Sequence, residues 1–300
     1  MLGRAQTVAV VGLDALPVTV EAYIGPGLPG LHLIGSSGAA AREAADRVKT
    51  ALAAVGVTFP AQKALVSLAP AEVPKVGARF DLPVAVALLL ARNALPEEAV
   101  AATAFVGELA LDGGVRGVRG VLPSAAALPA SGTRRLVVPA ANAGEAALAS
   151  GIDVVAVEHL DELLAVLAGT RAPRRPAEPP RTDAASAPDL ADVRGQAEAR
   201  RALELAAAGG HHLLLVGPPG CGKSMLAARL PSLLPRLSTE QALEVASIRS
   251  VAGRLPDAVV LDRRPPYQAP HHGTTAAALL GGGSGIARPG GLSLAHASVK

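Results

Sequence analysis

The 300-residue sequence has no tryptophan, two tyrosines, three phenylalanines and a single cysteine. One cysteine cannot make a disulfide within the chain. That excludes a disulfide-stapled secreted scaffold and makes a reducing cytoplasm the expected setting. Aromatics make up 2% of the chain while half of it is hydrophobic, so a core must be built from Ala, Val and Leu. Long apolar runs are missing too. The longest, Leu82–Ala91, lies between Asp81 and Arg92 and contains Pro83. It falls well short of the ~20 residues a membrane-crossing helix needs, so no membrane association is expected. The start brings one early arginine, a short apolar stretch, then Asp14 and Glu21, which is not the pattern of a signal peptide. No excess of one charge stands out either. The 28 Lys and Arg against 25 Asp and Glu leave a net charge of +3, which fits solvated surface charge.

The chain length suits about two domains. Residues 171–189, beginning "RAPRRPAEPPRTDAASAP", carry Pro, Arg and Ala without apolar periodicity and read as a semi-rigid linker. Residues 1–170 alternate strand and helix patterns. "TVAVVGL" and "VTVEAYIG" form a strand pair, and "AAAREAADRVKTALAAVG" a helix closed by Gly56. "KALVSLAP" is a strand, and "DLPVAVALLLARN" a buried helix with Asp81 as its N-cap. "AFVGELALDGGVRGV" predicts a hairpin turning at Asp112-Gly113-Gly114. "VLPSAAALPAS" is a short helix, "RRLVVPA" a strand, and "DVVAVEHLDELLAVLAG" a strand followed by a helix. The expected class is an α+β domain. Residues 190–300 open with a helical lead-in, "LADVRGQAEARRALELAAAGG". A buried strand "HHLLLVG" and a helix "KSMLAARLPSLL" are expected next, in an α/β domain.

Between that strand and that helix stands "GPPGCGKS", residues 217–224. Glycine, four spacers, glycine, lysine and a hydroxyl residue form a phosphate cradle. Gly217, Gly220 and Gly222 let the backbone curl and turn amides inward, with Pro218, Pro219 and Cys221 as spacers. Lys223 is placed for the β- and γ-phosphates of ATP, and the Ser224 hydroxyl for Mg²⁺. Cys221 is expected to contribute its backbone only, since no base stands beside it in sequence. Hydrolysis needs a further acid at the end of an apolar strand. "AVVLD", ending at Asp262, is the candidate, but Arg263 follows where a carboxylate is expected, and a turn residue is the competing reading. No catalytic residue is assigned.

The stretch "GQAEARRALELAAAGGHHLLLVGPPGCGKSMLA", followed by "APHH" and "LLGGGSGIARPGGLSLAH", resembles the magnesium-chelatase-like AAA+ ATPases of the competence protein ComM (YifB) family. "VEAYIGPGLPGLHLIG", "VSLAPAEVPKVGARFDLPVAVALL" and "FVGELALDGGVRGVRGVLP" resemble the same family's N-terminal half. The resemblance implies a ribosomal S5 domain 2-like, Lon-protease-like N-terminal domain and an AAA+ module that assembles into homo-hexameric rings. It also implies an ATP-driven motor acting on DNA during recombination. Alternatives are a magnesium-chelatase-type motor subunit, or a non-catalytic module that binds DNA or a partner and keeps a vestigial loop. Family members continue past "SLAH" into an apolar strand ending Asp-Glu, a sensor, an arginine finger and a lid. The 300 residues stop at Lys300 before that strand, so nucleotide binding with poor hydrolysis is the expectation.

A Lon-like fold raises the question of a Ser–Lys protease. "PKVGARFDLP" holds no serine and "GVRGVLPSAA" no lysine, and neither Ser67 with Lys63 nor Ser124 meets the geometry of an activated nucleophile. Peptide hydrolysis is not expected. Lys75, Arg79, Arg116 and Arg119 are candidates for a basic surface. His271 and His272 lack the companions of a four-ligand metal site. The resemblance places them, with Gly281–Gly285 and Arg288, in insertions that line ring pores.

Overall fold

The computed structural model describes residues 1–34, 38–59, 61–176, 188–256, 259–283 and 287–298. The chain forms two compact units, Met1–Pro179 with Ser250–Val259, and Pro180–Arg249 with Val260–Lys300.

The first unit runs β1 (Leu2–Val11), β2 (Asp14–Gly25), β3 (Gly30–Ile34), α1 (Gly38–Ala54), β4 (Lys63–Ala69), α2 (Asp81–Ala91), β5 (Thr103–Phe105), β6 (Glu108–Leu109), β7 (Val115–Arg116), α3 (Val121–Ala127), β8 (Arg135–Pro139), α4 (Ala143–Ala146), β9 (Asp153–Val157) and α5 (Leu160–Leu167). Seven strands make one mixed sheet in the order β3-β4-β2-β1-β5-β8-β9. The two halves of that sheet follow different burial rules. β1, β2 and β4 pair antiparallel, and β4 alternates buried and half-buried residues along its length. β5, β8 and β9 pair parallel and are covered on both faces. In β9, Val155 and Val157 join the core under α1, α2 and α5, while Val154 and Ala156 join that under α3 and α4. Continuous valine runs are what a two-sided parallel strand requires.

Helix α2 is buried at all 11 of its residues. It approaches β1 so closely that a Cβ on Gly3 would stand 2.3 Å from the Ala87 carbonyl oxygen, so only glycine fits there. Asp81 opens this helix but does not cap it; the cap position belongs to Phe80, and no side chain caps the end. The expected N-cap role is corrected by its partners. Arg47 Nε lies 2.8 Å from Asp81 Oδ2 and Arg47 Nη2 3.2 Å from Oδ1, so the fork grips the carboxylate from α1. The Leu109 amide donates to Oδ2 as well, at 3.3 Å. The carboxylate is more useful as a buried bracket across α1, α2 and β6 than as a local cap. Burial raises the Asp81 carboxyl above its usual value, against the opposing pull of Arg47.

The predicted hairpin is β6–β7. Asp112 Oδ1 accepts the Gly114 amide at 2.9 Å, and Gly113 takes the left-handed φ of +94° that the turn requires. His159 braces this turn from the cap of α5. Its Nε2 lies 2.9 Å from the Asp112 carbonyl oxygen and its Nδ1 2.6 Å from Asp161 Oδ1. Both ring nitrogens therefore lie against acceptors, which favours the imidazolium, while Nδ1 also stands 3.4 Å from the Asp161 amide that it caps. Partial burial pulls the imidazole down, but Asp161 and Asp112 outweigh it and the His159 pKa is raised. The start of the expected linker also belongs to this unit. The Ala156 amide donates to the Arg174 carbonyl at 2.8 Å, and Arg175 Nε meets Asp153 Oδ1 at 3.2 Å. Most of the remaining linker lies outside the described residues.

The second unit holds α6 (Ala197–Gly209), α7 (Lys223–Ala227), α8 (Leu230–Leu233), most of α9 (Thr239–Ala252), α10 (Ala276–Leu280), the two-strand ribbon β10 (Gly281–Gly282) and β11 (Arg288–Pro289), and α11 (Gly291–Leu294). Three expectations are corrected here. "HHLLLVG" is not a strand; no strand among the described residues pairs with it, and Leu214 and Val216 are each 84% exposed. An extended segment needs a neighbour for its amides and carbonyls to become a strand. The helix "KSMLAARLPSLL" is broken after Ala227 and restarts as α8, because Pro231 has no N–H to continue the ladder. "AVVLD" likewise forms no strand over Val259–Asp262.

Replacing Asp81 by Ala strands the Arg47 guanidinium and the Leu109 amide, and is expected to cost about 3 kcal/mol in chemical denaturation; Asp81→Asn, which keeps an acceptor, should cost less. The raised His159 pKa gives a second expectation. Stability from the imidazolium is fully present below pH 6.5 and is lost as pH rises through the higher folded value. Imidazole titration by NMR should show that value fall in Asp161→Asn, and unfolding curves should lose the same pH dependence.

Candidate functional site

The loop at residues 217–224 is anchored by a small apolar cluster. Leu226 of α7 packs with Leu190, Val193 and Leu203 of α6, and all four are buried. Arg229 Nε ties the far end of α7 to the Asp189 carbonyl at 2.9 Å. Gly220 and Gly222 take φ values of +84° and +86°, which side-chain-bearing residues rarely adopt.

The loop divides chemically in two. In its first half, Lys223 Nζ donates to the carbonyls of Gly217 and Pro218, each at 2.7 Å. Both peptides lead into prolines, Pro218 and Pro219, which have no amide hydrogen. The lysine thus rests where the backbone offers only acceptors. In the second half, Cys221 closes a turn over Pro219–Gly220, while the amides of Gly220 and Gly222 donate to no acceptor among the described residues. Two exposed donors flanking that turn can serve an anion. Cys221 is free and exposed, and its Sγ lies 3.5 Å from Lys223 Nζ. Its carbonyl accepts from Gln196 Nε2 at 3.3 Å. Ser224 is exposed at the first turn of α7, with its hydroxyl open to solvent. Sequence reading missed Gln196. Its signal was the Gly195-Gln196 pair just ahead of α6, 25 residues before the residue it touches.

Asp262 stands apart from the loop residues in its bonding. Arg264 holds it through Nε at 3.0 Å, Nη2 at 2.9 Å and the backbone amide at 2.9 Å. Although burial opposes it, these bonds lower the Asp262 pKa. A carboxylate committed to a neighbouring guanidinium is a poor metal ligand. The His271 and His272 rings lie 3.9 Å apart, and no metal-holding group of three or more ligating residues exists among the described residues.

The first unit carries a separate buried polar cluster. Arg79 is 8% exposed, so the expected basic surface loses that member. Its Nη2 donates to Ser124 Oγ at 2.8 Å, its Nε has no partner, and desolvation lowers its pKa to about 10. Arg116 and Arg119 remain at the surface, and Lys75 turns its ammonium onto the Pro70 carbonyl. Ser124 is itself fully buried and donates to the Gly120 carbonyl at 2.6 Å. Its one charged neighbour is a guanidinium, which cannot accept a proton, so it has no activating base. Ser67 and Lys63 sit four residues apart on β4, roughly 13 Å by strand geometry, beyond hydrogen-bond reach. Nearby, Glu145 accepts from Asn142 Nδ2 and Ser250 Oγ, each at 2.5 Å, and burial raises its pKa. It borders a cavity of about 150 Å³ with Arg119, Asn142 and Ser250. No helix among the described residues is long and apolar enough to cross a membrane.

Comparison with known proteins gives a consistent picture. Residues 189–300 match the family described as magnesium chelatase, subunit ChlI, and residues 20–142 match subunit ChlI of Mg-chelatase. The chain is 50% identical over 298 residues to the uncharacterized protein Rv2897c of Mycobacterium tuberculosis, covering 99% of this chain and 59% of that one. It is 44% identical to the uncharacterized protein YifB of Escherichia coli, over 99% of this chain and 58% of the relative. It is 40% identical to competence protein ComM of Haemophilus influenzae, over 97% of this chain and 58% of the relative. The chain therefore spans a little under three-fifths of the length of the curated relatives it matches.

Proposed function

Because the chain belongs to the magnesium-chelatase-like family that includes YifB and ComM, we propose that residues 217–224 bind the triphosphate of ATP together with Mg²⁺. The observation that carries this reading is the pair of unpartnered amides at Gly220 and Gly222 on the loop that also carries the Lys223 ammonium. Those groups suit an anion rich in oxygen acceptors, with Lys223 exchanging two carbonyls for phosphate oxygens. Mg²⁺ would take the Ser224 hydroxyl as a ligand and supply charge neutralisation for the phosphates.

In the same reading residues 190–300 are part of an AAA+ module, 171–189 a linker, and 1–170 a ribosomal S5 domain 2-like domain. The full-length protein would be a cytoplasmic, homo-hexameric ring that acts on DNA in recombination. The name of the Haemophilus influenzae relative, competence protein, supports that DNA-linked role over chelatase chemistry. The 300-residue polypeptide would bind ATP and hydrolyse it poorly, since Asp262, its candidate acid, is engaged by Arg264. The closure of Lys223 onto its own loop is what a vestigial, non-catalytic module would also show, and the same experiment separates the two.

Calorimetric titration with Mg-ATP is expected to give saturable binding, weakened about 10- to 100-fold in Lys223→Ala by loss of a charge-assisted contact. Binding that is absent, or indifferent to Lys223, would leave the vestigial reading standing.

A further inference from the structure

Gln196 sits in a backbone conformation that its own side chain disfavours. Its φ and ψ are 53° and 42°, immediately after Gly195 at a φ of +68°. Glycine takes the left-handed region freely, but glutamine rarely does. Two left-handed residues in succession turn the chain sharply into α6, whose first bond runs from the Arg200 amide to the Gln196 carbonyl at 2.9 Å. The main chain of Gln196 therefore starts the helix while its side chain is sent elsewhere. Nε2 donates to the Cys221 carbonyl at 3.3 Å. The fit is mutual, for a Cβ at position 222 would stand 2.8 Å from that same Nε2 and 3.2 Å from Met225 Cε. Gly222 is thus bare on the side where Gln196 approaches.

We propose that Gln196 is the positioning residue of the phosphate loop, holding the Cys221–Gly222 peptide so that its N–H faces the anion. The reasoning is planar geometry. A trans peptide carries its C=O and N–H on opposite sides of one rigid plane. A donor fixed on the Cys221 oxygen therefore aims the Gly222 amide the other way, leaving it, like the Gly220 amide, without an acceptor among the described residues. Lys223 performs no such service, since the carbonyls it holds lead into Pro218 and Pro219. Strain at Gln196 fits a side chain retained for what it holds. This inference rests on the nucleotide reading of the loop.

The decisive variant is Gln196→Gly, because glycine suits the observed φ and should leave thermal stability unchanged or raised. Mg-ATP affinity is nevertheless expected to fall ~3- to 10-fold, the effect of one hydrogen bond. In the nucleotide-free protein the Gly222 amide resonance should move while that of Gly220 stays. Gln196→Asn, with the same amide on a shorter stem, should recover part of the affinity. Wild-type affinity in Gln196→Gly would overturn this inference and leave the nucleotide reading intact. So would a loss of affinity that only follows a loss of stability. Absence of Lys223-dependent binding in the wild-type protein would remove both.

Discussion

A backbone amide needs an acceptor, from the protein, from water or from a ligand, and the two units of this chain meet that need differently. In the first unit, seven paired strands and the helices laid on them pair the backbone donors and acceptors of the sheet. At the start of the buried helix α2 the Leu82 amide finds the Gly107 carbonyl, and Asp81 collects the Leu109 amide and the Arg47 fork. At Gly220 and Gly222 the amides stand on an exposed loop without an acceptor among the described residues. Open donors there suit an anion.

That arrangement uses few parts. Leu226 pins α7 against α6 through a four-residue apolar cluster, which holds the loop at its C-terminal end. Consecutive prolines remove amides from the half of the loop where the Lys223 ammonium rests. Glycines supply the left-handed turns in the other half, where the donors remain. Gln196 fixes one peptide plane from across the loop. The carbonyls that hold the cation and the open amides thereby lie in different halves of a single eight-residue turn, for which a phosphate chain is the proposed ligand.

Much of the first unit was legible in the sequence because its patterns are local. The Asp112-Gly113-Gly114 turn, the valine runs of β8 and β9 and the apolar run of α2 each name their own element. Asp81 was misread because a carboxylate at a helix start looks like a cap, and the Arg47 that claims it lies 34 residues earlier. Strand β3 was missed, since five residues with two polar-flanked leucines carry little signal. Helix α9 was missed although Ser238 and Gln241 announce it, each side chain bonding the other's amide at 3.0 and 3.1 Å. In the second unit the loop was legible and its surroundings were not. "HHLLLVG" has the composition of a strand but pairs with none of the described residues, and pairing is a property of neighbours. Arg79 read as surface charge, and only the packing of α3 shows its guanidinium bonded to Ser124 in the interior.

The account stands or falls on the open donors at the loop. Its most direct measurement is the backbone amide spectrum of the ¹⁵N-labelled 300-residue protein, recorded as Mg-ATP is added. The Gly220 and Gly222 resonances should shift together and further than any others, as their N–H groups acquire phosphate acceptors. A titration in which those two stay in place, or in which they move no more than the amides of the first unit, would contradict it.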